Sequence, residues 1–392
     1  MTPSARVQAA IEILDEVIAS ARQDGPPADT IVTRYFKSRR YAGSKDRRAV
    51  RELVFRAIRR SGERPESGRS AMLGLADDDA MLLDLFDGSP HGPAVREPAE
   101  VVAKSSAVPQ WVQGLLSSHV TPDEWPALLE RAPIDLRVNA ARASRDEIIG
   151  QFEGAEPTRH SPWGLRLPSD SRVDDHPAFL QGLVEIQDEG SQLIALACQS
   201  PGAGKVLDLC AGAGGKSLAL AAADPGAEII ATDTNRARLS QLSPRAERSG
   251  AKVETRLLDG GRESAQLTDL AGQCDIVLVD APCSGSGTWR RNPEGRWRLS
   301  SDRFDRLVSV QQQLLEIAEP LVKPGGALIY ATCSIIRAEG ADQAGNFLGR
   351  HSSWIVQDMP FEGGRADGPG RLLTPAHDAT DGFFVARFAK PC

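Results

Sequence analysis

Thirteen residues, Lys205-Val-Leu-Asp-Leu-Cys-Ala-Gly-Ala-Gly-Gly-Lys-Ser217, restrict what this 392-residue chain can fold into more than any other stretch. Val206, Leu207 and Leu209 form an apolar run, Gly212, Gly214 and Gly215 follow, and residues 217–222 are helix formers. That order reads as strand, tight turn and helix, the first unit of a doubly wound, Rossmann-like α/β sheet. Side chains in the turn would hold a ligand away from the backbone N–H groups at the helix start, which is what the glycines avoid.

The ligand is open at this point. A Walker A phosphate loop needs a glycine where Cys210 stands, and a dinucleotide fingerprint would need its third glycine at Ser217. A loop for S-adenosylmethionine, with an acid (Asp208) at the strand end before the turn, fits with one departure, Cys210 in place of a common glycine. A glycine-rich turn that binds nothing is the bland alternative.

Strand and helix signals alternate from there on. Strands are expected at 228–233, 252–258, 275–280, 326–331 and 382–388, with a long helix at 302–318. In such a sheet the strand C-termini share one edge, and ligands sit there. Asp233 lies 21 residues past Gly212, where an acid accepts from a ribose diol. Asp259 closes the third strand and Asp280 the fourth. Each alone is equally a helix cap, but three acids on three strand ends favour a nucleoside-bearing cofactor.

The fourth strand ends Asp280-Ala-Pro-Cys-Ser-Gly-Ser-Gly287 and the fifth Ala331-Thr-Cys-Ser334. Neighbouring strands lie about 4.8 Å apart, so Cys283 and Cys333 are expected to face one cleft. Cys198, Cys274 and Cys392 read as inert core thiols. A methyl donor beside two thiols suggests methylation of carbon 5 of a pyrimidine. Thiolate addition to carbon 6 makes carbon 5 nucleophilic, an acid on the ring nitrogen drains charge, and a base then removes the carbon-5 proton. Asp280 is the candidate for the ring nitrogen; which thiol attacks is left open by the residues alone. An exocyclic-amine methyltransferase would carry an aromatic where Cys283 stands.

The N-terminal part differs. Val7, Ala10, Ile11, Leu14, Val17 and Ile18 make a helical stripe, and Ala49, Val50, Leu53, Val54, Ala57 and Ile58 a second, capped by Ser44 or Asp46. Residues 88–99, with three prolines, read as a linker, and 109–182 as a small mixed α/β platform. The division expected is a helical module at 1–90, linker and platform at 91–182, and the doubly wound domain at 183–392. A net charge of −7 does not announce a nucleic-acid binder, yet residues 34–69 hold thirteen Lys or Arg against four acids. Screening over about 8–10 Å lets such a local face attract phosphates; intrahelical ion pairs are the alternative. Hydrophobic content of 41%, no bilayer-length apolar run, no signal-peptide core, and six cysteines without a C-x-x-C pair suggest a cytoplasmic enzyme without metal.

These motifs resemble the RNA cytosine-5 methyltransferases of the NOL/NOP/Sun family, above all its bacterial small-subunit rRNA branch. The resemblance rests on Gln187-Asp-Glu-Gly-Ser191, Asp208-Leu-Cys-Ala-Gly-Ala-Gly-Gly-Lys216, the Pro-Cys stretch 280–288, Arg290-Arg-Asn-Pro-Glu294, Thr332-Cys-Ser334 and Asp381-Gly-Phe-Phe384. Residues 46–54 resemble a NusB-type RNA-binding module. The resemblance implies that Cys333 is the nucleophile and Cys283 assists breakdown of the adduct. It also implies that Cys210, Ala211, Gly212, Ala213, Gly214, Gly215 and Lys216, with Asp233, Asp259 and Asp280, hold S-adenosylmethionine. Many members have Ala-Pro at Gly212-Ala213, so the turn here is looser. The substrate implied is RNA, in this branch 16S rRNA, acted on by a monomer; a tRNA cytosine, or a non-catalytic ribosome-assembly role, are the competing readings. An attacking thiol must be lowered from about 8.5, and the cofactor's charge, helix dipoles, Lys216, Arg290 or Arg291 are the expected cause. Trp289, Trp297 and Phe383 are candidates to stack on a flipped base.

Overall fold

The computed structural model describes every residue except Asp24 and Pro201. Two compact units emerge, one of residues 1–116, 121–130 and 288–301, the other of 117–120, 131–287 and 302–392.

The first unit is built on four helices, α1 (Pro3–Arg22), α2 (Ala28–Lys37), α3 (Ser44–Arg60) and α4 (Gly68–Asp77). Thr2 caps α1 by accepting from Ala5 N at 3.2 Å, with Pro3 in the first turn where its missing N–H costs nothing. The α1 stripe Val7, Ala10, Ile11, Leu14, Val17 and Ile18 is buried, as are Val50, Val54, Ala57 and Ile58 of α3. Gly43 occupies the cap position of α3, not Ser44; Asp46 in the first turn accepts from Gly43 N at 3.3 Å, as a capping residue does, and also bonds the Arg6 guanidinium and the N-terminal amine. Residues 88–99 are irregular, as their prolines predict, but they are fastened down. Arg69 donates to Ala94 O and Val95 O at 3.1 and 3.2 Å and pairs with Glu100.

Residues 288–301 complete this helical core. Trp297 is 1% exposed and its indole N–H donates to Ser61 O at 2.8 Å. Arg296, 2% exposed, donates to the carbonyls of Ile58 at 2.6 Å and Ala107 at 2.7 Å, and Glu294 accepts from Ala28 N at 3.0 Å. Trp289 is equally buried. Both tryptophans are therefore packing residues, which corrects the stacking role expected of them: an indole with no accessible face has nothing to offer a base.

The second unit holds two sheets. The smaller joins β1 (Ile134–Val138), β2 (Glu156–Pro157), β3 (Gly164–Leu167) and β4 (Val184–Ile186) in the order β2-β3-β1-β4, around Leu136, Val138, Ile148, Leu165 and Val184. The larger contains β5 (Lys205–Asp208), β6 (Glu228–Asp233), β7 (Glu254–Leu257), β8 (Cys274–Asp280), β9 (Val322–Thr332), β10 (Ile355–Val356), β11 (Arg365–Asp367), β12 (Gly370–Leu373) and β13 (Phe383–Ala389). Its order is β11-β12-β13-β9-β8-β5-β6-β7, with β10 on β13. The strands β7, β6, β5, β8 and β9 run parallel and β13 returns antiparallel to β9. The polypeptide reverses direction in strand order beside β5, the switch point at which such sheets bind ligands. The expected doubly wound sheet is present, with a hairpin, β11–β12, on its far edge.

Candidate active site

The turn after β5 is shaped by backbone needs. Gly214 has φ +80°, and a Cβ there would lie 2.3 Å from the Leu242 side chain. It starts the helix Gly215–Ala223, whose first N–H groups have no intrahelical acceptor. Gly212 N donates to Asp233 Oδ2 at 2.8 Å, Ala211 N to Thr232 O at 2.8 Å, and Arg245 clasps Ala213 O at 2.6 Å. Asp233 also accepts from Asn235 N at 2.6 Å, so both its oxygens already anchor backbone at the mouth of the turn. Asp259 lies past β7, exposed, and faces Gln266, whose amide donates to it at 3.1 Å.

Asp208 ends β5 and is fully buried. One oxygen accepts from Ser217 Oγ at 2.6 Å; the other has no hydrogen-bond partner. Burial pushes its carboxyl up to about 7, the Ser217 bond opposes this, and the charge of Asp280 adds to it. Below about pH 3 the group is protonated in both folded and unfolded chains. As pH climbs from there toward 7 the unfolded chain ionises first, so stability is lost across that window, by at most about 4 kcal/mol. Asp208→Asn is therefore expected to melt like the parent at about pH 3 and several degrees above it at about pH 8. A melting difference flat in pH would refute this.

Lys216 points back from the helix and donates to Asp280 at 2.7 Å, with the Phe383 ring 5.7 Å away. Burial works against its charge, but Asp280 and the Cys333 sulfur more than offset it, and its pKa stands above the ordinary lysine value. Sequence reasoning placed Lys216 in the cofactor turn; here it forms one charged pair with Asp280, beside the thiols.

Strands β8 and β9 are paired in parallel, Asp280 opposite Ala331. The loops beyond them bring the Cys283 and Cys333 sulfurs to 3.3 Å. The hydrogen bond with Cys333, then burial, then the charge of Glu339 push the Cys283 thiol well above its ordinary value. A lowered thiol was expected of the attacking cysteine; Cys283, expected only to assist, is raised. Around the sulfurs the motifs interlock. Gly287 N donates to Cys333 O at 3.0 Å, Gly382 N to Gly287 O at 2.7 Å, and Asp381 N to both oxygens of Asp188 at 3.1 Å. The Ser284 and Ser334 hydroxyls donate to buried Glu339, a residue the sequence reading passed over, and Ser286 Oγ bridges those two hydroxyls.

The remaining cysteines separate cleanly. Cys198 and Cys274 are buried, with burial raising both thiols, Cys274 to about 11. Cys392 is exposed, not a core thiol as expected, because the chain ends past β13. Arg290 is 6% exposed and part of the helical unit.

The residues at the β5 edge fit S-adenosylmethionine. A glycine turn too tight for side chains, an unpartnered buried Asp208 oxygen and further carboxylates at Asp233 and Asp280 suit a cationic, nucleoside-bearing molecule. Among the described residues no cluster of His, Cys, Asp or Glu is arranged to hold a metal ion. No helix among them is long and apolar enough to cross a membrane.

In the helical unit, Arg34, Arg39, Arg51, Arg56, Arg60 and Arg69 pair with Glu16, Glu12, Asp29, Asp79, Asp78 and Glu100. These pairs join different segments rather than turns of one helix. Lys37, Arg40, Lys45 and Arg48 are exposed and form no ion pair among the described residues.

A family model described as 16S rRNA methyltransferase RsmB/F matches residues 194–389, half of the chain. Ribosomal RNA small subunit methyltransferase B of Enterobacter sp. (strain 638) is 34% identical over 290 residues, and that of Erwinia tasmaniensis 35% over 291. Each alignment takes in 72% of this chain and 66% of the relative, so the chain spans just under two thirds of the length of the curated relatives it matches. Among solved structures, PH0851 superposes with a TM-score of 0.76 at 26% identity, covering 100% of this chain and 99% of that one. NSun6 from Pyrococcus horikoshii with SFG shares the fold, at a TM-score of 0.62 and 19% identity over 72% of this chain and 97% of that one. With the glycine turn, the paired Pro-Cys and Thr-Cys loops and the matched half all in one sheet, the chain belongs to the 16S rRNA methyltransferase RsmB/F family.

Proposed function

We propose that the protein methylates carbon 5 of a cytosine in 16S rRNA, using S-adenosylmethionine, through a covalent adduct with Cys333. The observation that carries this reading is the pair of sulfurs 3.3 Å apart at the ends of neighbouring parallel strands. Structural thiols rarely meet beside a charged pair at a sheet's ligand edge.

When bound, S-adenosylmethionine supplies a sulfonium methyl as the electrophile. The turn 210–216 with Asp233 would hold it, and Asp259 on its loop would reach the base. Cys333 adds as thiolate to carbon 6, the C5–C6 double bond opens, and electron density gathers at carbon 5 and the ring nitrogen. Lys216 of the Lys216–Asp280 pair offers N–H donors that stabilise that charge, and the Asp280 carboxylate accepts from the amino group of the base. After carbon 5 gains its methyl, its proton goes to a base, the double bond reforms and Cys333 leaves as thiolate. Cys283, protonated at neutral pH by its surroundings, is placed to exchange a proton with Cys333 during that release. Lys37, Arg40, Lys45 and Arg48 support a phosphate-binding role for the helical region 1–90, with the 91–182 segment as a substrate platform and a cytoplasmic monomer as the working form.

Incubation with methyl-labelled S-adenosylmethionine and naked 16S rRNA, small-subunit particles or tRNA tests the reading. Label is expected in one 16S cytosine that resists bisulfite conversion. Label confined to tRNA, or present in a base that bisulfite still converts, would sink the assignment.

A further inference from the structure

We propose that Glu339 is a positioning residue, a buried carboxylate that sets the two sulfurs against each other by clamping the residue that follows each of them. The inference rests on the reading of Cys333 and Cys283 as the working thiols.

Glu339 ends the short turn Arg337–Glu339 and is 0% exposed. Its Oε1 accepts from Ser284 N at 2.8 Å and Gln311 Nε2 at 3.0 Å. Its Oε2 accepts from Ser334 Oγ at 2.6 Å and from the Ser284 hydroxyl. Ser284 directly follows Cys283, and Ser334 directly follows Cys333. Ser286 closes the ring, 2.9 Å from Ser334 Oγ and 3.1 Å from Ser284 Oγ, and accepts from Ile335 N at 3.0 Å. The Glu339 carbonyl takes the Tyr330 hydroxyl at 2.7 Å, which ties the clamp to the interior of β9.

No cation lies within 4.0 Å of this carboxylate among the described residues, so its burial is compensated by hydrogen bonds alone. Uncharged residues of the same volume would fill the space at lower desolvation cost. What a carboxylate accepting four hydrogen bonds adds is a fixed distance between the residues that directly follow the two sulfurs, on loops also joined by Gly287 N to Cys333 O and by Ser286. Its charge also raises the Cys283 thiol, which keeps that sulfur protonated beside its partner. Geometry and charge thus act on the same pair.

Glu339→Gln keeps the size but turns one acceptor into an amide NH2 that faces donors. The variant is expected to lose about 10- to 100-fold in kcat with KM for RNA and affinity for S-adenosylhomocysteine within about twofold, since sub-ångström misplacement of a reacting atom costs that much. Iodoacetamide labelling of Cys283, followed by peptide mass spectrometry across about pH 7–11, is expected to show its reactivity rising at lower pH than in the parent. A wild-type kcat and an unmoved titration would overturn the proposal, as would a loss confined to KM. If Glu339→Gln does not fold, Ser334→Ala removes one donor of the four and is expected to give the same pattern at smaller size; a wild-type profile there overturns it equally. The labelling arm needs no methyl transfer, so it still decides the role of Glu339 if the wild-type protein methylates no RNA and the functional reading falls.

Discussion

Cys333→Ala is expected to abolish both methyl transfer and the covalent complex with RNA carrying 5-fluorocytosine, while Cys283→Ala, like the parent, forms that complex. Fluorine at carbon 5 leaves no proton to remove, so the adduct cannot collapse and survives denaturing electrophoresis. The asymmetry follows from the surroundings of the two sulfurs. Cys283 sits against the Glu339 charge and the partner sulfur, both of which disfavour a second negative charge, and it stays a thiol. Cys333 lies beside Lys216, whose ammonium is kept charged by Asp280 and by that sulfur. A cation therefore stands beside the sulfur at 333 and an anion beside the sulfur at 283. Loss of a nucleophile of this kind lowers kcat by about 10⁴-fold or more. With natural cytosine, Cys283→Ala is expected to accumulate protein–RNA complex during turnover. A complex that persists in Cys333→Ala and vanishes in Cys283→Ala would exchange the two roles.

Much of this arrangement is legible in the sequence because sheet topology does the placing. Once residues 205–217 are taken as strand, turn and helix, the order of β5, β6, β7, β8 and β9 follows, and with it the meeting of Cys283 and Cys333 on adjacent strand ends. The loops were readable where a motif states its own chemistry. What stays hidden is partner choice. Residues 295–298, Gly-Arg-Trp-Arg, carry no periodicity that names a partner, and they pack with α1 and α3 of the helical unit. A polar stretch beside a thiol motif suggests substrate contact, and its one tryptophan, Trp297, belongs to the helical core. Glu339 is hidden for the opposite reason. In Arg337-Ala-Glu339 an acid looks like a solvated turn residue, and only the crowd of hydroxyls in Ser284, Ser286 and Ser334, with no lysine or arginine among them, hints at a buried acceptor. The hairpin β11–β12 was missed because its strands are three and four residues long around Gly368, too short for an alternation to register.

Gly287→Ala is expected to damage the protein more than any other single methyl added near the site. A Cβ at Gly287 would stand 1.9 Å from Gly382 O and 2.5 Å from its carbonyl carbon, both backbone atoms that no rotamer change can move. The same glycine accepts from Gly382 N at 2.7 Å and donates to Cys333 O at 3.0 Å, so the chain that must give way is the one holding Cys333, the nucleophile proposed above. Relief requires the Pro-Cys loop and the start of β13 to separate, breaking one or both bonds. Overpacking of this kind costs about 3 kcal/mol, which at about 2–4 °C per kcal/mol for a unit of this size lowers Tm by about 6–12 °C. Activity is expected to fall further than stability does, by about 100-fold at a temperature where the variant is still folded, because the displacement falls on Cys333. Gly345→Ala is the control. It lies within the helix Ala341–Arg350, nothing stands within 4 Å of its Cβ position, and alanine there favours the helix by about 1 kcal/mol. Thermal melts and single-turnover methylation of both variants decide the matter: Gly287→Ala with the parent's Tm and rate would mean that the two backbones are not in contact and that the sulfurs are held by something else.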